Sequence, residues 1–134
     1  IRVLYDQTYD ILSHARVAVV TSGTATLETA LFKIPQIVVY KTDWLFYSLA
    51  KLLVKIKFIS LVNIILDKLA VPELIQVQFT SQHIQLIMKK LMKNDSIERK
   101  AQSAAYEELA QLIGPAGASR KTAKLIVQAA QSAK

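Results

Sequence analysis

Two compact β-branched runs, "RVAVVT" (Arg16–Thr21) and "PQIVVY" (Pro35–Tyr40), flank "TATLETALF" (Thr24–Phe32), which has helical spacing. No other feature limits the accessible folds as strongly. Short continuous apolar runs mark strands buried on both faces, and Pro35 is tolerated as the first residue of a strand. Between them, Ala25, Leu27, Ala30 and Leu31 form an apolar helical stripe. Upstream, "RVLY" (Arg2–Tyr5) is short and β-prone. "DQTYDILSHA" then reads as a short helix with Tyr9, Leu12 and Ala15 on one face. The pattern β-α-β-α-β within the first forty residues predicts an α/β fold, with parallel strands and helices covering the sheet.

The second half changes character. "FISLVNIILD" reads as a short strand followed by a turn. "TSQHIQLIMKKLMKN" carries Ile84, Ile87, Met88 and Leu91 at helical spacing, with Thr80 or Ser81 as N-cap. A further helix starts at Asp95 or Ser96 and stops at Gly114, and a last one follows from Ala118. We expect one domain, with an α/β part over 1–78 and a helical tail over 79–134 packed on it. The start "IRVLYDQ" lacks an initiator Met, and the chain reads as a piece of a longer protein.

Composition narrows the partners. Hydrophobic residues make up 52% of the 134, enough for a real core. The absence of Cys removes disulfides and thiolate metal sites. A formal charge of +7 favours anionic partners without choosing among them. No segment has the about 18–20 continuous apolar residues of a membrane span.

The chemistry concentrates in "SGTATLE", Ser22–Glu28, beyond the carboxyl end of a predicted strand, where open parallel sheets bind ligands. Gly23 permits a sharp turn. The first N–H groups of the next helix have no intrahelical partner and favour phosphate. Ser22, Thr24 and Thr26 can add hydroxyls. Glu28, one turn beyond Thr24, can accept hydrogen bonds from a ribose diol. That describes a nucleotide site. Ordinary N-capping by Ser or Thr, with Glu28 complementing the helix dipole, explains the same residues. On spacing alone both readings stand. Neither a Walker pattern nor G-x-G-x-x-G is present.

"SGTATLETALFKIPQIVVYK", "FISLVNIILD" and "VPELIQ" together resemble, in order and approximate spacing, the C-terminal donor-binding region of the lipid-A-disaccharide synthase family. The resemblance implies a partial Rossmann-like domain from a two-domain, GT-B type glycosyltransferase. It implies an inverting, metal-independent transfer of 2,3-diacylglucosamine from its UDP derivative to 2,3-diacylglucosamine 1-phosphate, releasing UDP in lipid A biosynthesis. No cofactor is implied, the UDP-sugar being a substrate. Ser22, Gly23, Thr24, Ala25 and Thr26 would hold the pyrophosphate and Glu28 the ribose. Asn63 matches a polar residue beside the donor, and Glu73 and Gln76 match a further cleft motif. The general base would lie in an N-terminal domain, leaving these 134 residues inactive alone. The implied location is the cytoplasmic face of the inner membrane, as a peripheral protein.

"DWLFYSLAKLLVKIKF" has two readings. Trp44 and Phe46 beside Lys51, Lys55 and Lys57 suit an interfacial segment on anionic lipid. They equally suit a helix packed on the sheet with solvated lysines. His14 and His83 lack ligand spacing and read as structural or surface residues, not metal ligands. Asp6 and Asp10 read as solvated caps. The basic residues of the tail are interrupted by Glu98, Glu107 and Glu108, unlike the tight stripe of a nucleic-acid reader. Two other functions fit less of the sequence: a different UDP-sugar enzyme of the same fold (an epimerase or N-acetylglucosamine transferase), and a basic membrane-associated binding module without activity.

Overall fold

The computed structural model describes residues 1–42, 57–114 and 117–132. The elements run α1 (Thr8–His14), β1 (Ala18–Thr21), α2 (Thr24–Leu31), β2 (Gln36–Tyr40), α3 (Leu61–Leu66) and β3 (Glu73–Ile75). A 3-10 turn (Gln76–Gln78) then leads to α4 (Ser81–Leu91), α5 (Ile97–Ile113) and α6 (Ala118–Ser132). The described strands form a three-stranded parallel sheet in the order β1-β2-β3. Ala18 to Thr21 lie beside Gln36 to Val39, and Val38 to Tyr40 beside Glu73 to Ile75. The α/β architecture expected from the alternating pattern is the observed one.

Helices cover both faces. On one, Val38 packs with Ala30 of α2, Val62 and Leu66 of α3, and Tyr106 and Leu109 of α5. On the other, Ile37, Val39 and Leu74 meet Leu91 of α4, with Ile84, Ile87 and Met88 packed alongside. The predicted stripe of α4 therefore faces the sheet. Burial of each such aliphatic side chain contributes about 1.5–3 kcal/mol. The central strand β2 is buried from Gln36 to Val39. β1, at an edge of the described sheet, is only half so, with Val20 buried and Val19 exposed.

Two elements differ from expectation. Arg2–Tyr5 forms no strand, and its residues are exposed. β propensity needs a neighbouring strand and a face to pack on, and this segment has neither. The third strand is instead the short β3 from "ELI". "SLVNIIL" is helical, not a strand and turn. Ser60 Oγ accepts a hydrogen bond from Asn63 N at 3.2 Å, Val62 and Leu66 are buried one turn apart, and Asp67 ends the helix at φ 46°. A short apolar run has no period of its own to separate the two states. α2 also turns differently. Thr26, Thr29 and Ala30 face inward, whereas Leu31 is half exposed. The threonine hydroxyls are satisfied locally, Thr26 Oγ1 donating to Gly23 O and Thr29 Oγ1 to Ala25 O, each at 2.7 Å.

The expected caps of the later helices are present: Thr80 for α4, Ser96 for α5, and Gly114 at φ 74° ending α5. α5 is tied to the sheet by a buried polar network. The Gln102 side-chain amide pairs with the backbone of Gln36, accepting from its N–H at 2.9 Å and donating to its C=O at 3.1 Å. It thus does what a neighbouring strand would do where β3, whose pairing begins opposite Val38, does not reach. The Tyr106 hydroxyl lies 2.9 Å from Gln102 Oε1 and 3.2 Å from Ile34 O, and accepts from Gln36 Nε2 at 3.2 Å.

Burial pushes the Tyr106 phenol well above its usual 10. The unfolded chain ionises this group at about pH 10 while the folded chain keeps it neutral. Its stability contribution is therefore intact below that pH and is lost as pH rises beyond it. Tyr106→Phe is expected to flatten the fall of melting temperature between about pH 9 and about pH 11. An unchanged slope in the variant would show that another group controls alkaline unfolding.

Candidate functional site

β1 ends at Thr21, and the chain turns through Ser22 and Gly23 into α2. Gly23 has φ 137°, a conformation that side chains disfavour. A Cβ there would meet open space, so backbone geometry and not crowding calls for glycine. Gly23 is also the N-cap of α2, and no side chain caps this helix. The capping reading of the Ser/Thr cluster is therefore not what the hydroxyls do. Ser22 Oγ donates instead to Ile59 O at 2.8 Å, across thirty-seven residues of sequence. Thr26 turns inward, fully buried. The N–H groups of Thr24 and Ala25 have no hydrogen-bond partner among the described residues, and Gly23 and Thr24 are exposed. Two amides without a partner among the described residues thus lie at the positive end of a helix dipole beyond a strand end, Thr24 exposed and Ala25 half-buried.

Glu28 is the fifth residue of α2, past the first turn, which carries no acid. The dipole effect fades within that turn, so complementing it is a weak reason for this carboxylate. Glu28 lines an open cleft of about 460 Å³ with Asp6, Gln7, Thr8, Tyr9 and Asp10. Tyr9 stacks on Phe32 at 5.5 Å, with rings 12° apart, which sets α1 against the end of α2. The cleft is rich in carboxylates and lacks cations. It suits hydroxyl donors and repels phosphate, whereas the helix start does the reverse. Sequence reasoning missed Asp6 and Asp10 as walls of this cleft, because the packing of α1 beside α2 is not encoded in their spacing.

Asn63, Glu73 and Gln76 have different surroundings. Asn63 is fully buried. Its Nδ2 donates to Val71 O and to Glu73 Oε1, each at 2.8 Å, and its Oδ1 accepts from Ala70 N at 2.8 Å and Val71 N at 2.9 Å. All four positions of the amide are taken, which leaves none for a ligand. Glu73 accepts from Ile59 N at 3.0 and 3.1 Å and from Ser60 N at 2.9 Å. Gln76, at φ 51°, donates to Thr42 O at 2.9 Å and accepts from Thr42 N at 3.3 Å, joining the ends of β2 and β3. The segments "SGT", "SLVN" and "PEL" are thus one hydrogen-bonded assembly, running from Ser22 through Ile59 and Glu73 to Asn63.

A match over most of the chain accompanies this geometry. The family model described as lipid-A-disaccharide synthetase matches residues 2–130. The chain belongs to the lipid-A-disaccharide synthetase family. The lipid-A-disaccharide synthase of Anaeromyxobacter dehalogenans strain 2CP-1 is 35% identical over 127 residues, covering 95% of this chain and 33% of that protein. That of Nitrosococcus oceani is 36% identical, covering 95% and 32%. That of Chromobacterium violaceum is 39% identical over 109 residues, covering 81% and 28%. The chain spans about a third of the length of these curated relatives. The match to the synthetase family includes every element of the site, from the α1 wall through Glu28 to Gln76.

Among the described residues no group of three or more His, Asp or Glu is placed to hold a metal. His14 Nδ1 lies 2.9 Å from Asp10 O and His83 Nδ1 lies 2.8 Å from Gln78 O, local backbone contacts in each case. No described helix is long and apolar enough to cross a membrane. Of the expected membrane-contact residues, Trp44, Phe46, Lys51 and Lys55 lie outside the described residues. Lys57 is exposed and pairs with Asp67 at 3.2 Å, a solvent-screened contact of little energetic weight. Acids of α5 pair with basic residues from elsewhere in the fold, Glu98 with Lys90 of α4 at 2.7 Å and Glu107 with Lys33, just beyond α2, at 2.6 Å.

Proposed function

We propose that this chain is the UDP-binding part of a lipid-A-disaccharide synthase. The whole enzyme transfers 2,3-diacylglucosamine from its UDP derivative to 2,3-diacylglucosamine 1-phosphate by inversion and releases UDP. One observation carries the reading: amides at Thr24 and Ala25 with no partner among the described residues, and a carboxylate one turn along that opens into a separate acidic cleft. The amides take the pyrophosphate and stabilise the charge that develops on departing UDP. Glu28 takes the ribose hydroxyls. Asn63, Glu73 and Gln76 serve the site as its frame, since their hydrogen bonds are made to protein. Deprotonation of the acceptor hydroxyl falls to a base outside these 134 residues, in an N-terminal domain of the same protein. The chemistry needs no metal.

Isothermal titration of UDP into the intact natural protein that carries this chain is expected to show saturable one-site binding. A titration without heat at any accessible concentration would remove the assignment.

The acylated substrates place the enzyme on the cytoplasmic face of the inner membrane, held peripherally. The segment from Trp44 to Lys57, with Phe46, Lys51 and Lys55, is the part of this chain with the composition for that contact. Replacing Lys51, Lys55 and Lys57 with Glu is expected to weaken binding to anionic vesicles, read by co-sedimentation over a lipid titration, by about a hundredfold or more, at about 1 kcal/mol per lysine lost. Equal sedimentation of variant and parent would move membrane contact elsewhere.

A further inference from the structure

Glu73 is out of place for a purely structural residue. Parallel register puts Val20, Val38 and Glu73 side by side across the sheet, so their side chains share one face. Val20 and Val38 are buried, and Val38 belongs to the core beneath α2, α3 and α5. A third aliphatic would continue that row. The sequence instead places a carboxylate there, and its oxygens collect three donors. They are Ile59 N at 3.0 Å, Ser60 N at 2.9 Å and Asn63 Nδ2 at 2.8 Å.

These partners lead to the anion loop. Glu73 grips Ile59 by its N–H, and Ser22 grips the same residue by its carbonyl. Ser22 is followed directly by Gly23 and the free amides of Thr24 and Ala25. Asn63 secures the other side: it holds Glu73 through Nδ2 and takes its own N–H to Ser60 Oγ at 3.2 Å. Among the described residues, 59–60 are thereby held by four bonds that involve side chains, with Ile64 N to Ser60 O as a fifth, and Ser22 makes the one side-chain hydrogen bond from the β1–α2 turn to them.

We infer that Glu73 is a positioning residue for nucleotide binding, setting the height and aim of the Thr24 and Ala25 amides through Ile59 and Ser22 without touching the ligand. The inference rests on the nucleotide reading of the site. A carboxylate suits the task because it is acceptor-only, so every donor aimed at it is satisfied. Glutamine at this position keeps size and shape; with its oxygen in the place of Oε1 it retains Ser60 N and Asn63 Nδ2, and its N–H₂ group then takes the place of Oε2 and opposes the Ile59 N–H, the link that leads to Ser22.

The test is UDP affinity of the intact protein in four forms: parent, Glu73→Gln, Ser22→Ala and the double variant. Both single variants are expected to weaken UDP at least about tenfold, and the double variant little more than the worse single, the non-additivity of residues in one network. The unliganded Glu73→Gln protein is also expected to show displaced amide resonances at Gly23, Thr24 and Ala25. Parent-like affinity in Glu73→Gln, or a double-variant loss equal to the product of the two singles, would overturn the inference and leave the UDP assignment standing. Absence of UDP binding in the parent would take both down. If Glu73→Gln does not fold, Ser22→Ala decides: it removes one half-buried hydroxyl, and unchanged affinity there would break the relay.

Discussion

Asn63→Ala is expected to destabilise the protein by about 2 kcal/mol or more, because it strands two backbone groups, each worth about 1–3 kcal/mol when buried without a partner. These are Val71 N, which donates to the side-chain oxygen, and Val71 O, which accepts from its nitrogen; Ala70 N loses the same oxygen but keeps Lys68 O at 2.9 Å. Glu73 loses a donor as well. The affected backbone is the turn between α3 and β3, so the loss also loosens the start of the third strand. A small side chain leaves a void that these groups cannot reach across. Chemical denaturation with paired far-UV and fluorescence probes measures the change. A midpoint within about 0.5 kcal/mol of the parent, the usual range for a neutral surface change, would refute the central place given to this amide.

Glu28→Ala is expected to separate binding from stability. A carboxylate accepting hydrogen bonds from two hydroxyls contributes about 1.5–3 kcal/mol, so UDP affinity falls about ten- to hundredfold. Stability changes by no more than about 1 kcal/mol, since Glu28 lies past the first turn of α2 and its side chain makes no hydrogen bond or ion pair among the described residues. The cleft residues Asp6 and Asp10 remain in the variant, and their carboxylates keep the cleft open to hydroxyls without replacing the one on α2. Measured by calorimetry on the intact protein, undiminished affinity would place the ribose elsewhere. A collapse in stability would mean that Glu28 belongs to the frame and not to the site.

How far the sequence alone reaches can be followed through single residues. Thr80 and Ser96 are found capping the helices they were expected to cap, because a cap depends on three or four neighbours in sequence. β2 is the buried strand that its β-branched run describes. Leu91 and Ile87 point to the sheet because their spacing already defines one helical face. Ser22 is the contrasting case. Its sequence neighbours make it look like a cap or a phosphate donor, yet its hydroxyl reaches Ile59, which no local pattern announces. The same holds for "SLVNIIL", where Ser60 capping and the burial of Val62 and Leu66 select a helix that the apolar run did not specify.

Periods and caps are local quantities, and the order of residues determined them: alternating strands and helices, a parallel sheet, a glycine turn at a strand end and an acid one turn into the following helix. Which polar side chains remain free for a ligand was decided only by the tertiary structure. Hydrogen-bonding capacity is finite, and contacts beyond the reach of helical spacing and caps use it up. Those contacts filled Asn63 completely and left the Thr24 and Ala25 amides open.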